Sequence, residues 1–521
     1  MRLHTSRQHH AARPFFQQHS PRLPARQLRA ALFAGLLATL LTGAAWAQRP
    51  AAAPVLPPEV DALLARAKVP REALTAVVVD ASGRAQPLLS FQPTVPMNPA
   101  SVMKLVTTYA GLELLGPSYT WNTPVYIDGT ISGGVLQGNL VIQGRGDPKL
   151  MVERLWLLLR RVRGLGITTI SGDILLDRSA FAATARHPAE FDGEPLRPYN
   201  VAPDALLLNY KTVAMSFVPD PARGVASVSY EPAMANVQMP ATVPLLAPPV
   251  GSSPQGAALA DCGDYRSTLK PDFNDAYRIT FAGGYPPACG EKTWSVAYID
   301  PASYAERAVQ GVWQDLGGKL GGRVREGSAP AALRPAFESV SPTLTEVIRD
   351  INKFSNNVMA QQLFLTLSLA PGVARNPARP VPASFEASQA IVRTWWRERL
   401  GEDVPVLENG SGLSRVERVS AQGLSRLLQT AYVSGVMPEL MSSLPITGVD
   451  GTLRRSKSQV SQGWAHLKTG TLRDSTALAG YVHTAGGRRL VVVGIINHPN
   501  APAARPALEA LVDWAVKEGN R

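Results

Sequence analysis

Ser101-Val102-Met103-Lys104 sets a hydroxyl and an amine three residues apart. On a helix, positions i and i+3 share a face, with Cβ atoms about 5–6 Å apart. A hydroxyl nucleophile and an amine base at that spacing suit acyl transfer. Ser267-Thr268-Leu269-Lys270 repeats the spacing, but Pro271 follows and no helical pattern surrounds it, so it carries no weight. Ser355-Asn356-Asn357 offers a second hydroxyl with a carboxamide, in a polar break between two helical patterns; a helix cap is the plainer reading of it. Lys468-Thr469-Gly470-Thr471 is the third group. Its glycine lets a ligand or backbone come close to a strand, whereas a solvated edge-strand lysine is the plainer reading.

These residues need elements to hold them. Leu74–Val79 reads as a buried strand, followed by a turn and a second strand near Leu88–Phe91. Pro99-Ala100-Ser101 opens a helix running to about Leu115, with proline at its entrance. Helical patterning returns in Thr343–Asn352, Val358–Ser368, Pro382–Leu400, Ser420–Val433 and Met437–Leu444, with Trp395 and Trp396 read as core. Strands Trp464–Lys468, Ala477–His483 and Leu490–Ile496 follow, and a helix Pro506–Lys517 comes last. Strand and helix at the front, with three strands and a helix at the back, imply one domain built from both ends of the chain. The expected catalytic domain is residues 58–124 with 335–521. Residues 125–334, rich in short β-like runs and proline loops, form a mostly β insertion in two pieces, 125–215 with 301–334, and 216–300.

The 521 residues carry a formal charge of +12. Six arginines and no acid lie in residues 1–47, so the excess elsewhere is mild and does not suit a nucleic-acid partner. Arg26–Arg29, an apolar run Ala30–Leu41 and a small-residue end Ala45-Trp46-Ala47 describe a secretory signal, with residues 48–57 as a flexible leader. Export to the periplasm, with at most peripheral membrane contact, is the expectation. In such an oxidising compartment Cys262 and Cys289 pair by default. His187, His466, His483 and His498 are the histidines outside the export segment, and no metal-ligand spacing is present, so neither metal nor cofactor is expected. No phosphate-binding glycine loop occurs, so nucleotides are not expected partners either.

Taken together, Pro99-Ala100-Ser101-x-x-Lys104, Ser355-Asn356-Asn357 and His466-Leu467-Lys468-Thr469-Gly470-Thr471 resemble the signature of serine β-lactamases and penicillin-binding proteins. The closest likeness is to class C penicillin-binding proteins, the D-alanyl-D-alanine carboxypeptidase/endopeptidases. Asn409-Gly410-Ser411-Gly412-Leu413-Ser414-Arg415 and Gly146-Asp147-Pro148 also resemble that family, as does the long insertion between the first two motifs. Asn409 departs from it, since aspartate is common there. The resemblance implies an α+β, serine β-lactamase/transpeptidase-like fold and activity on peptidoglycan stem peptides, with β-lactams as covalent inhibitors. It implies Ser101 as nucleophile, Lys104 as base, Ser355 as proton relay, and Asn357 on the substrate amide. Lys468, Thr469, Gly470 and Thr471 would hold the terminal carboxylate, with backbone N–H groups of Ser101 and Thr471 as the oxyanion hole. Glu194 and Tyr199, with Asp192, would face a diaminopimelate amine, and Arg415 and Arg473 would line the cleft.

Lys104 must be neutral to accept a proton. Its ordinary pKa of about 10.4 must fall by about three units. A second cation at about 4 Å supplies a shift of that order, and Lys468 is read as that cation, with desolvation adding to it. A β-lactamase or esterase on the same scaffold is the rival enzyme, and a non-catalytic wall-binding module the rival of another class.

Overall fold

The computed structural model describes residues 55–183, 187–247, 262–369 and 381–520. The export signal read in residues 1–47, and most of the leader, lie outside them. At the leader's end Leu56 and Pro57 are already buried, packed with the helix Pro58–Arg66.

A five-stranded antiparallel sheet organises the site. Its strand order is Ala465–Leu472, Ser475–His483, Arg489–Asn497, Leu74–Asp80 and Leu89–Phe91. The front strand pairs with the last one, Leu74 opposite Ile496 and Asp80 opposite Leu490, so both chain ends share one sheet. Leu74–Val79 is buried throughout, with Thr75 its one polar residue, because both faces are covered. Ala76 and Val78 face the helices Pro58–Arg66 and Arg505–Gly519. Val77 and Val79 face the opposite layer, in the same core as Tyr109, Trp395, Trp396 and Leu427. That layer is the helices Lys104–Leu115, Leu344–Phe354, Asn357–Thr366, Phe385–Leu400, Ala421–Tyr432 and Met437–Ser443. This is the α+β arrangement expected.

Between Asn122 and Val340 the chain builds further sheets. Asn122–Ser132 and Val135–Gln143 pair as a long hairpin within a seven-stranded sheet. Phe337–Val340 pairs back onto Asn122–Ser132, so this layer runs a few residues past both boundaries read from the sequence. A four-stranded sheet orders Lys292–Ala297, Thr212–Asp220, Val225–Glu231 and Thr242–Pro244. Cys262 and Cys289 are joined as a disulfide. Two helices, Val152–Gly164 and Tyr304–Asp315, were not among the elements expected. Their signal was present, since Leu155, Leu158, Leu159 and Val162 recur at helical spacing and are buried. A one-turn helix, Tyr265–Thr268, also forms around Ser267, but it ends before Lys270, so the second Ser-x-x-Lys does not share a helical face. Asp147 of Gly146-Asp147-Pro148 is buried against Arg154 at 2.6 Å. Among the described residues, no helix is long and apolar enough to cross a membrane.

Candidate active site

Ser101 lies in a tight 3₁₀ turn, Ala100–Met103, that leads into the helix Lys104–Leu115. The turn begins on a left-handed alanine, Ala100 at φ 47°. Such a residue is strained and must be held by its surroundings. Asn98 does this: its Oδ1 accepts from Ala100 N at 2.9 Å and its Nδ2 donates to Ser414 O at 2.9 Å. Its own carbonyl accepts from Ser475 Oγ at 2.7 Å and Asn497 Nδ2 at 2.9 Å.

Two glycines let neighbouring chains close on this turn. A Cβ on Gly470 would lie 2.5 Å from Pro99 O and 2.9 Å from Ser101 N. Gly412 has φ 78°, and a Cβ there would meet Ala100 O at 2.0 Å. Glycine is therefore required at both positions, and the lysine-bearing edge strand lies directly against the Ser101 turn.

Ser355 terminates the helix Leu344–Phe354 in a left-handed conformation, φ 58° and ψ 37°. The capping expected of the Ser-Asn-Asn group falls to Asn356, whose side chain accepts from Met359 N at 3.0 Å. Ser355 and Asn357 are thereby left for other partners. Lys468 Nζ donates to Ser355 Oγ at 2.9 Å and to Thr469 O at 2.7 Å. Lys104 Nζ lies 3.0 Å from Ser101 Oγ, 2.6 Å from Asn357 Oδ1 and 2.5 Å from Ser411 O. Both amines are fully buried. Ser101, Ser355, Thr452, Thr469, Gly470 and Thr471 line one cleft of about 250 Å³.

The net shift of both lysines is downward, although for Lys104 the buried Glu417 opposes it. Lys104 titrates well below its ordinary range, first because burial penalises the ammonium and second because Lys468 is near. The order of causes is thus the reverse of the sequence-based expectation. Burial alone brings Lys468 down to about 7.

A family model described as D-Ala-D-Ala carboxypeptidase 3 (S13) matches residues 56–518. The chain belongs to that family. It is 26% identical over 406 residues, 76% of this chain and 80% of the relative, to a D-alanyl-D-alanine carboxypeptidase DacB of Haemophilus influenzae. It is 28% identical over 449 residues, 84% of this chain and 80% of the relative, to a D-alanyl-D-alanine carboxypeptidase of an Actinomadura species. The crystal structure of penicillin binding protein 4 (dacB) from Haemophilus influenzae superposes with a TM-score of 0.66 at 23% identity, covering 87% of this chain and 99% of that one.

The outer residues of this S13 site divide. Asn357 Nδ2 donates to Tyr199 O at 3.2 Å, and Tyr199 Oη donates to Asp192 Oδ2 at 2.9 Å. Arg415 stacks on Phe191, 4.7 Å from the ring centre, and reaches toward Asp474 at 4.0 Å. Glu194 pairs with Arg197 at 3.5 Å, and Asp192 is the acid hydrogen-bonded to Tyr199. Arg473 is exposed in the turn after the lysine strand, beside Asp474.

Sequence reading missed Asn98, Thr452 and Glu417. Thr452 Oγ1 is 2.8 Å from Thr469 Oγ1. Glu417 is fully buried, and its carboxylate accepts from the backbone N–H groups of Glu408, Asn409, Gly410 and Gly412 at 2.9–3.1 Å. It fixes the loop whose Ser411 carbonyl meets Lys104. Nothing in the residue type marks a glutamate as buried; only a polar, glycine-containing loop just before it hints at an anchor.

Two buried charges should therefore respond oppositely to removal. Glu417→Gln leaves backbone donors facing an amide N–H and should lower unfolding free energy by about 2–3 kcal/mol, read by urea denaturation. For Lys468 the unfolded amine holds its proton to about pH 10.4, whereas the folded one releases it near 7. The unfolded state binds more protons across that window, so stability rises with pH there. Lys468→Met should raise Tm at pH 6 by about 1–3 °C, with the gain shrinking toward pH 10. A lower Tm at pH 6 would contradict the assigned burial cost.

Proposed function

We propose that this chain is a serine DD-peptidase of peptidoglycan stem peptides, exported to the periplasm. It removes terminal D-Ala or cleaves D-Ala-diaminopimelate cross-links through an acyl-Ser101 intermediate, and penicillin acylates the same hydroxyl. The observation that carries this reading is the set of partners around Lys104. Asn357 Oδ1 and Ser411 O can only accept hydrogen bonds. A neutral amine has two N–H groups for them, and its lone pair is then left for the hydroxyl 3.0 Å away.

In the proposed reaction Ser101 Oγ attacks the carbonyl carbon of the penultimate D-Ala. Its proton passes to Lys104 Nζ as the C–O bond forms. Backbone N–H groups of Ser101 and Thr471 receive the developing oxyanion. The tetrahedral centre collapses, the C–N bond breaks, and the leaving amine takes a proton from Lys104 through Ser355 Oγ. Water then attacks the ester, giving one proton to the base, and Ser101 regains its hydroxyl as the acid departs. Lys468, Thr469 and Thr471 hold the carboxylate of the leaving residue. The peptide lies as an added strand along the Thr469–Thr471 end of this edge strand, whose Ala465–Leu467 end is already paired with Pro445–Thr447. On the acyl side Tyr199, Asp192 and Arg415 face the stem peptide, with Asp192 as the partner for a diaminopimelate amine.

The test is a penicillin adduct. Intact-mass spectrometry should show one persistent equivalent, located on the tryptic peptide spanning residues 85–104 and absent in Ser101→Ala. Rapid loss of the label with steady antibiotic consumption would favour a β-lactamase instead, and no adduct together with no D-Ala release would end the enzymatic reading.

The pH profile follows from the two amines. The rate of acylation at low substrate should rise as Lys104 loses its proton and fall near pH 7, where Lys468 loses the charge that holds the carboxylate. Removing a cation stabilises the ammonium beside it, so Lys468→Ala should move the rising limb to higher pH. A rising limb that stays in place would separate the two lysines electrostatically.

A further inference from the structure

A second depression, of about 660 Å³, opens beside the cleft and is lined by Phe354, Thr452, Arg454, Arg455, Lys457 and Arg505. Glu509 is the one acid in its lining, and it is paired with Arg505 at 3.1 Å. Arg454, Arg455 and Lys457 have no carboxylate partner among the described residues; the nearby Asp450 is held by Lys353 at 2.6 Å. Three uncompensated like charges in one concavity repel each other. Fold stability gives no reason to gather them, and an anionic ligand does.

The position says which part of a ligand would enter. Thr452, Arg505 and Glu509 line both this depression and the cleft. Thr452 Oγ1 is hydrogen-bonded to Thr469 Oγ1 at 2.8 Å, and Thr469 is where the reading above puts the carboxylate of the leaving residue. The acyl side runs the other way, through Asn357 to Tyr199. Phe354, 65% exposed and adjacent to Ser355, adds an apolar rim.

We infer that this depression is a subsite for a leaving peptide that bears carboxylates beyond the one at the scissile end. The inference rests on the proposed DD-peptidase reading and deepens it. A single D-Ala has one carboxylate and ends at Thr469 and Thr471. In a cross-linked dimer the leaving amine belongs to a diamino acid, and the rest of its stem continues with further free carboxylates. The dimer therefore fills the basic subsite and the monomer does not, which makes this chain selective for cross-links.

The experiment compares two synthetic substrates with the same acyl donor, a pentapeptide that releases D-Ala and a dimer joined through D-alanyl-diaminopimelate, using the purified mature protein. In Arg454→Ala/Arg455→Ala/Lys457→Ala, kcat/KM for the dimer should fall about tenfold, the sum expected of a few exposed charge contacts, while the pentapeptide changes by less than about twofold. With the unaltered protein, raising the salt should reduce dimer cleavage selectively. A dimer amidated at its leaving-peptide carboxylates other than the scissile-end one should lose the same factor, which needs no variant. Equal change on both substrates, or an amidated dimer cut as fast as the free acid, overturns the subsite while a Ser101 penicillin adduct leaves the catalytic reading standing. If neither peptide is cut and no adduct forms, the catalytic reading fails and the subsite falls with it.

Discussion

Lys104 and Lys468 are amines that water would keep charged, and the fold holds both of them dry. Neither has a carboxylate within ion-pair distance among the described residues. A contacting carboxylate would restore the charged form and leave no lone pair at neutral pH. The arrangement therefore works only if counter-ions are kept out while every N–H still finds an acceptor. Carbonyl and hydroxyl oxygens meet that need, and the elements around the cleft are arranged to deliver them. Glu417 illustrates the separation. Its carboxylate accepts from four backbone N–H groups one loop away from Lys104, so it shapes the loop without touching the amine, and its pull on the Lys104 charge is outweighed by burial.

A dry site also demands close approach, and close approach explains where the backbone is strained. Ala100 and Ser355 both adopt left-handed conformations, at the start of one helix entrance and the end of another. Each is held by its surroundings, Ala100 through Asn98 and Ser355 as the reversal between two helices. Gly412 and Gly470 let two strands of chain reach the Ser101 turn from opposite sides. Strain at the site is offset by the core beneath it, where Trp396, Tyr109 and Tyr481 are fully buried between helices and sheet.

The cleft has an unequal charge distribution along its length. On the Tyr199 side two carboxylates meet one arginine, with Asp192, Asp474 and Arg415 in one neighbourhood. On the Thr452 side the basic residues are in excess. The two halves of a peptide crossing Ser101 thus meet different electrostatic surroundings, although the same short strand supports both.

The chemistry was legible because Ser101, Lys104, Ser355, Asn357 and Lys468 each sit in a short motif carried by one helix entrance, one helix-to-helix reversal or one strand. The elements carrying them were equally legible, since a strand covered on both faces is almost wholly apolar and a surface helix repeats at 3.6 residues. Asn409 to Arg415 drew notice by likeness alone. What the sequence by itself determined is therefore the inventory of reactive groups and the local elements that present them. Only the tertiary structure decided that Asn356 takes the cap and frees Ser355, that Asp192 and not Glu194 stands beside Tyr199, and that Glu417 is buried. It also decided that burial acts on Lys104 more than its neighbour's charge, and that the basic run after Leu453 opens beside Thr469. The reason is physical: spacing along a chain fixes which side chains share a face, whereas desolvation and the choice among equivalent hydrogen-bond partners depend on atoms that only the folded chain brings near.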